Sequence, residues 1–301
     1  MKRETNQIEE KLPGRKAIIN VIDRLLEDHL QGKFRALRLA MTSLLSGGHL
    51  LIEDIPGLGK TTLALALANA LGLSFGRVQC TSDLLPSDIT GMSVYNREEN
   101  SFRFIEGPIF NNIVLIDEIN RAMPKTQSAL LEAMEERRVT VEGKTWSLPN
   151  PFLVMATQNP AEQVGTYPLP ESQMDRFLIT TDIGYPPEEM EKTIIRNGSI
   201  REEIRRIEPM VTEAEILQAQ ATVRSAIYLG DKVVDYIYRL AAASREHRFI
   251  LAGRDYVTPE DVQAVALPAA AHRLILRAEQ ETIDKKEVLQ SVLESVAVPL
   301  A

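Results

Sequence analysis

Two groups of residues in this chain have the types and spacing to handle a phosphate-bearing ligand. The first is Asp54-Ile55-Pro56-Gly57-Leu58-Gly59-Lys60-Thr61-Thr62, which follows the apolar run Leu50-Leu51-Ile52 and opens into Leu63-Ala64-Leu65-Ala66-Leu67-Ala68. Strand, glycine-rich loop and helix is the order in which backbone N–H groups curl round a phosphate while the positive end of the helix points at it. Small residues are needed where backbone meets phosphate, and Gly57 and Gly59 supply them. Lys60 is placed to reach the outer phosphates, the Thr61 hydroxyl suits a magnesium ion, and Thr62 stays near the inner phosphates. Asp54 stands where such loops usually begin with glycine. A carboxylate facing phosphates is repelled, so its side chain is expected to turn and cap the loop backbone. A plain glycine turn with an incidental lysine is the competing reading, and the strand before and helix after weigh against it.

The second group closes another apolar run, Asn112-Ile113-Val114-Leu115-Ile116, with Asp117-Glu118. A buried parallel strand ends in this way when its C-terminal edge meets a site. Asp117 can hold magnesium, and Glu118 can polarise an attacking water. An apolar run ending in two acids is weak evidence by itself, and it gains weight by following the phosphate loop. Farther on, Phe152-Leu153-Val154-Met155-Ala156-Thr157 ends in Gln158-Asn159-Pro160. The Asn159 amide can bond a terminal phosphate or the water, but a turn residue before proline would read the same.

The elements that must position these groups follow from the patterning. Residues 15–45 read as a helical pair, with Ile18, Ile19, Ile22, Leu25 and Leu26 on one face and Leu37, Leu39, Met41, Leu44 and Leu45 later. Residues 74–80 read as a strand, and Thr81–Asp88 as a helix interrupted by Pro86. Two hairpins are predicted, Met92–Tyr95 with Ser101–Ile105, and Arg138–Val141 with Thr145–Leu148, the second carrying the single tryptophan, Trp146. Between them Ala129, Leu130, Ala133 and Met134 form the inward stripe of a helix. Gly184-Tyr185-Pro186-Pro187 reads as a linker, and the pattern beyond it is helical, with a capping box at Thr212 and Glu215 and a helix start at Thr258-Pro259-Glu260-Asp261.

With 301 residues, 44% hydrophobic and 25% charged, the chain can bury two cores without metals or disulfides. The single cysteine, Cys80, excludes an internal disulfide, and the four histidines have no metal-ligand spacing with it. A net charge of −8 argues against non-specific nucleic-acid binding as the main task. The charged start, Met1–Lys11, lacks the apolar core of a secretory signal, and no run approaches the ~18 apolar residues that span a bilayer. A cytoplasmic location is expected.

Several blocks, in this order, carry a resemblance. They are Glu53–Thr61, Asp83-Leu84-Leu85-Pro86-Ser87-Asp88-Ile89-Thr90-Gly91, Gly107-Pro108-Ile109-Phe110, Asp117-Glu118-Ile119-Asn120-Arg121-Ala122, Ala156–Pro160 and Gly165–Phe177. Over roughly residues 12–190 the chain resembles the MoxR family of AAA+ ATPases. The resemblance implies an α/β fold, a P-loop AAA+ core with a parallel central sheet and hairpin insertions over residues 1–184, and then a smaller all-helical lid domain over residues 185–301. It implies ATP and Mg2+ as ligands, with Ile55, Pro56 and Leu58 completing the phosphate loop. It also implies Asn159 as the sensor-1 amide and Arg176 as an arginine finger serving the neighbouring subunit's nucleotide. A homo-oligomeric ring, commonly a hexamer, is implied, with the hairpins facing its pore. So are a partner carrying a von Willebrand factor A (VWA) domain and a client protein complex to remodel. The family's Gly-Ala-Ser-Pro-Arg block ahead of Gly253 is absent, which leaves Arg248 and Arg254 as weak stand-ins for its sensor-2 arginine. Two other functions stand beside the ATP-driven remodeller: a nucleotide-gated ring that turns over little, and a DNA motor, which the acidic balance disfavours.

Overall fold

The computed structural model describes residues 14–160, 164–197, 200–225, 231–246, 250–252, 275–276 and 284–295. Helix α1 (Arg15–Asp28) is amphipathic and buries Ile18, Val21 and Leu25. The buried stripe differs from the expected one at Ile19, which is 42% exposed, because Val21 rather than Ile19 shares the face of Ile18 and Leu25 at spacings of three and four. Helix α2 (Phe34–Ser46) buries Leu37, Ala40, Met41 and Leu44. It stops at Gly47, whose φ of 72° is left-handed and whose N–H donates to Leu44.

Strand β1 (Leu50–Glu53) leads into the glycine loop and α3 (Lys60–Ala70), followed by β2 (Phe75–Gln79). Helix α4 (Pro86–Thr90) begins at Pro86. The expected helix interrupted by proline is thus a turn followed by a helix that uses proline at its first position, where no N–H is missed. Strands β3 (Gly91–Asn96) and β4 (Ser101–Glu106) form the first hairpin. Strand β5 (Ile113–Asp117) is buried throughout, and α5 (Pro124–Glu136) buries Leu130, Leu131, Ala133 and Met134. Strands β6 (Arg138–Val141) and β7 (Lys144–Ser147) form the second hairpin, closed by Glu142 and Gly143, both at positive φ. Then come β8 (Leu153–Gln158), the short α6 (Glu171–Met174) and β9 (Ile179–Thr181).

The central sheet has the order β2-β5-β8-β1-β9, and the β1–β8, β5–β8 and β2–β5 pairs are parallel. Parallel strands covered on both faces need continuous apolar runs, which β5 and β8 provide. Register brings Glu53 opposite Gln158 and Gln79 opposite Asp117, so the strands finish along one carboxyl edge. In doubly wound folds that edge is where ligands bind.

The chain divides into two compact units, Met1–Pro168 with Thr181–Ala226, and Leu169–Thr180 with Ile227–Ala301. In the first, α7 (Glu188–Asn197), α8 (Arg201–Arg205) and α9 (Glu213–Ser225) follow the sheet. Asn69 of α3 donates to the Ile204 carbonyl of α8, and Gln220 of α9 to the Leu44 carbonyl of α2. The capping box forms as expected, with Glu215 accepting from the Thr212 N–H at 2.8 Å and Thr212 accepting from the Glu215 N–H at 3.3 Å. The second unit holds α10 (Asp231–Glu246), β10 (Ile250–Ala252), β11 (Ile275–Leu276) and α11 (Lys285–Ser295). Its antiparallel β10–β11 pair breaks the wholly helical pattern expected there, because Ile250-Leu251 is a short apolar run stopped by Gly253 before a helical period can establish itself. The helix start at Thr258 and the sensor-2 stand-ins Arg248 and Arg254 lie outside the described residues.

Candidate functional site

The site is built where β1 and β5 release the chain. Beyond Glu53 the loop turns through Gly57 and Gly59, at φ 91° and 82°, a region that residues with a Cβ rarely adopt. A Cβ at Gly57 would meet nothing within 4 Å, so the loop is open there. Gly59 is the N-cap of α3 and brings no side chain to it, so no side chain caps the helix's first amides and an anion can serve them. The other side of Gly59 is occupied by Lys33, from the connector between α1 and α2, whose Nζ donates to the Leu58 carbonyl at 2.7 Å. Burial lowers the Lys33 pKa.

Asp54 behaves as the repulsion argument requires. Its Oδ1 accepts from the Ile55 N–H at 2.9 Å, and its Oδ2 accepts from the N–H groups of Ile183 (2.9 Å) and Gly184 (2.8 Å). Its backbone N–H donates to Gln158 at 3.1 Å, and its carbonyl accepts the Lys60 ammonium. Burial lowers the Lys60 pKa, opposed by the charges of Asp54, Asp117 and Glu118, so these three acids and Lys60 share one electrostatic neighbourhood.

At the end of β5, Asp117 is nearly buried and takes Arg77 Nε at 2.7 Å on one oxygen and the Thr157 hydroxyl at 3.4 Å on the other. Glu118 is left-handed, at φ 56°, with its N–H on the Thr157 hydroxyl at 2.9 Å. A non-glycine residue held there costs about 1–3 kcal/mol and is typical of sites whose surroundings over-determine it. Its Oε2 accepts from Gln79 Nε2 and from Arg121, both at 3.0 Å. The neighbouring Cys80 thiol is pushed up to about 12 by burial and then by Asp117 and Glu118, so it is not a nucleophile.

The structure thus gathers Asp54, Lys60, Asp117 and Glu118, with Thr61 and Thr62 in the first turn of α3. Asn159 follows β8 at the same carboxyl edge and is half-buried. Arg176 lies in the second unit, half-buried after α6, its N–H donating to the Gln173 carbonyl at 3.3 Å. A cavity of about 330 Å³ opens beside the loop helix, lined by Thr61, Thr62, Leu65, Phe75, Arg77 and Arg205. A larger one, about 480 Å³, lies beside Ala17, Arg24, His29 and Glu208 and includes none of the site residues.

Sequence reasoning missed Lys33, Arg77, Gln79, Arg121 and Thr157. For Arg77 and Gln79 a signal existed, since two polar residues alternate on one face of a strand otherwise suited to a core. Lys33 carries none, because only the tertiary fold brings it to Leu58.

The donor set fits a metal-bound polyphosphate: uncapped helix amides, one lysine and the hard oxygen donors Thr61 and Asp117. The comparisons agree with that chemistry. Residues 49–179 match the model of the "ATPase family associated with various cellular activities (AAA)", and residues 241–292 match an AAA lid domain. The chain is 41% identical to the "Uncharacterized protein YeaC" of Bacillus subtilis, over 89% of this chain and 91% of that one. It is 37% identical to "Chaperone MoxR1" of Mycobacterium tuberculosis, over 89% and 79%, and 29% identical to "Protein MoxR" of Methylorubrum extorquens, over 92% and 94%. A crystallised protein from Cytophaga hutchinsonii superimposes with a TM-score of 0.86 at 36% identity, covering 99% of both chains.

Proposed function

Because the chain belongs to the MoxR family of AAA+ ATPases, we propose that it binds ATP with Mg2+, hydrolyses it, and couples turnover to remodelling a partner complex as a homo-oligomeric ring. The observation that supports this most is the meeting of Lys60 and the Asp117-Glu118 pair at one carboxyl edge. Asp54, Ile55, Pro56, Gly57, Leu58, Gly59, Lys60, Thr61 and Thr62 form the triphosphate cradle, and Thr61 and Asp117 hold the metal. Magnesium, when bound, neutralises charge on the phosphates. Glu118 orients and polarises the attacking water, and the Asn159 amide positions it. Arg176 serves the nucleotide of a neighbouring subunit. The division at residue 184, nucleotide chemistry before it and lid after it, belongs to the same reading, as do a hexameric ring, a VWA-domain partner and a cytoplasmic location. No helix among the described residues is long and apolar enough to cross a membrane.

The test is Glu118→Gln, which keeps shape and hydrogen bonding but cannot polarise water as a carboxylate does. ATP binding should persist while hydrolysis falls by roughly 10²-fold or more. Equal turnover in the two proteins would remove Glu118 from the mechanism. A ring that binds ATP and hydrolyses it hardly at all, even as wild type, would favour the nucleotide-gated alternative.

A further inference from the structure

Asp54 sits at the loop position where glycine is usual, yet its side chain is fully used. Its two oxygens take three backbone N–H groups, one in the phosphate loop and two in the segment that follows β9. That segment is pinned again a few residues on. A Cβ on Gly32 would come within 2.4 Å of Pro187 Cδ, so the α1–α2 connector lies flat against Pro187, directly ahead of α7. The same connector reaches the loop through Lys33 and the Leu58 carbonyl. The 183–187 segment and the phosphate loop are therefore joined twice, directly by Asp54 and indirectly by the connector.

Asp54 also carries the ammonium of Lys60 on its backbone carbonyl. If Lys60 serves phosphates, that bond must be exchanged when nucleotide enters, and the 54–55 peptide loses a charged neighbour at that moment. The side chain of the same residue holds the N–H groups of Ile183 and Gly184. Asp54 is thus a direct, one-residue link from the loop to the segment ahead of α7.

We propose that Asp54 is a positioning residue which couples nucleotide occupancy of the loop to the Ile183–Pro187 segment. The coupling rests on the nucleotide-binding reading above. Nucleotide fixes the loop, and the carboxylate passes that restraint to the amides of Ile183 and Gly184. Linkage makes the effect mutual, so the restrained segment in turn favours bound nucleotide by the same factor.

Hydrogen–deuterium exchange of the Ile183 and Gly184 amides, measured with and without ADP on the full chain, reads the coupling directly. A fluorescent ADP analogue reads binding separately. In the wild type, ADP should slow exchange at these amides by about tenfold, inside the ordinary range for coupled sites. Asp54→Gly gives the loop the glycine usual at this position and removes the carboxylate. It should still bind ADP, about tenfold more weakly, and its two amides should exchange fast in both states. A merely structural role would raise exchange but keep the ADP-dependent difference. If Asp54→Gly does not fold, Asp54→Ala decides, since its methyl group accepts no hydrogen bond from Ile183 or Gly184. ADP binding with no change at these amides in the wild type, or an unchanged difference in the variant, overturns the coupling alone. A wild type that binds no ADP overturns the nucleotide reading and the coupling with it.

Discussion

At His49 one ring ties three elements together. It stands just before β1, its Nδ1 accepts the Val154 N–H of β8 at 3.0 Å, and its Nε2 faces the Met134 carbonyl of α5 at 3.3 Å. These partners require the neutral tautomer with the proton on Nε2. Burial, then the nearby Arg137, pushes its pKa down to about 3. The folded value lies below the unfolded value of 6.5, so on acidification the unfolded chain takes the proton first. The stability His49 contributes is whole above 6.5 and is lost as pH falls toward 3, at about 1.4 kcal/mol per pH unit. Urea unfolding at pH 7, 6 and 5 should show this slope, and His49→Gln, which keeps a donor and an acceptor, should flatten it; equal slopes would exclude the residue. How far single residues could be read from sequence depended on how local their partners are. Lys60 and Thr61 belong to a contiguous loop, and the cap on Ile55 follows from charge repulsion, so both were legible. The alternation of Arg77 and Gln79 was visible in the sequence, but their pairing with Asp117 and Glu118 depends on the β2–β5 register, which no local pattern specifies.

Elements obey the same division. Both hairpins were legible because alternating apolar residues flank a short polar turn, and the buried strands because each is a continuous apolar run that ends in polar residues. The second hairpin also packs against the first. Trp146 is 36% exposed and stacks on Phe104 of the first hairpin, with ring centroids 4.6 Å apart and planes at 17°. Phe104 in turn meets the edge of Phe110 at 5.6 Å. The two hairpins therefore brace one another, while Tyr95 and Phe102 remain exposed near the first tip. A stack of this kind adds about 0.5–1.5 kcal/mol beyond the area it buries. Trp146→Ala and Phe104→Ala should each destabilise the protein, and the double-mutant cycle should return a coupling in that range. Zero coupling would mean the rings only lie near each other. Any loss of the proposed remodelling in Trp146→Ala must then be read against its stability, and removing the exposed tip residues Glu98 and Glu99 becomes the cleaner probe of the proposed pore-facing role.

At the scale of the whole molecule the largest claim is the proposed role of Arg176, which would tie chemistry to assembly. The sequence suggested this role only through resemblance, because a residue proposed to act on another subunit has no signature in its own chain. Its local alternative is a pair with Asp175 beside it, worth about 0–1 kcal/mol at a surface and nothing catalytic. A guanidinium delivered from a neighbour stabilises charge on the transferring phosphoryl group and contributes roughly 10³–10⁵ in rate at comparable sites. Arg176→Ala should therefore leave ATP binding by a single subunit unaltered while sharply lowering hydrolysis in the assembled ring. Mixing separates the two readings. An Arg176→Ala subunit keeps its own Glu118, and a Glu118→Gln subunit keeps its own Arg176, so a mixed interface of one orientation reunites an intact pair. Each variant should be inactive alone and partly active when combined, as followed by phosphate release from rings whose mixed composition is verified by mass. A local ion pair predicts instead that Arg176→Ala alone hydrolyses ATP like the wild type, and verified mixed rings without activity would end the trans assignment.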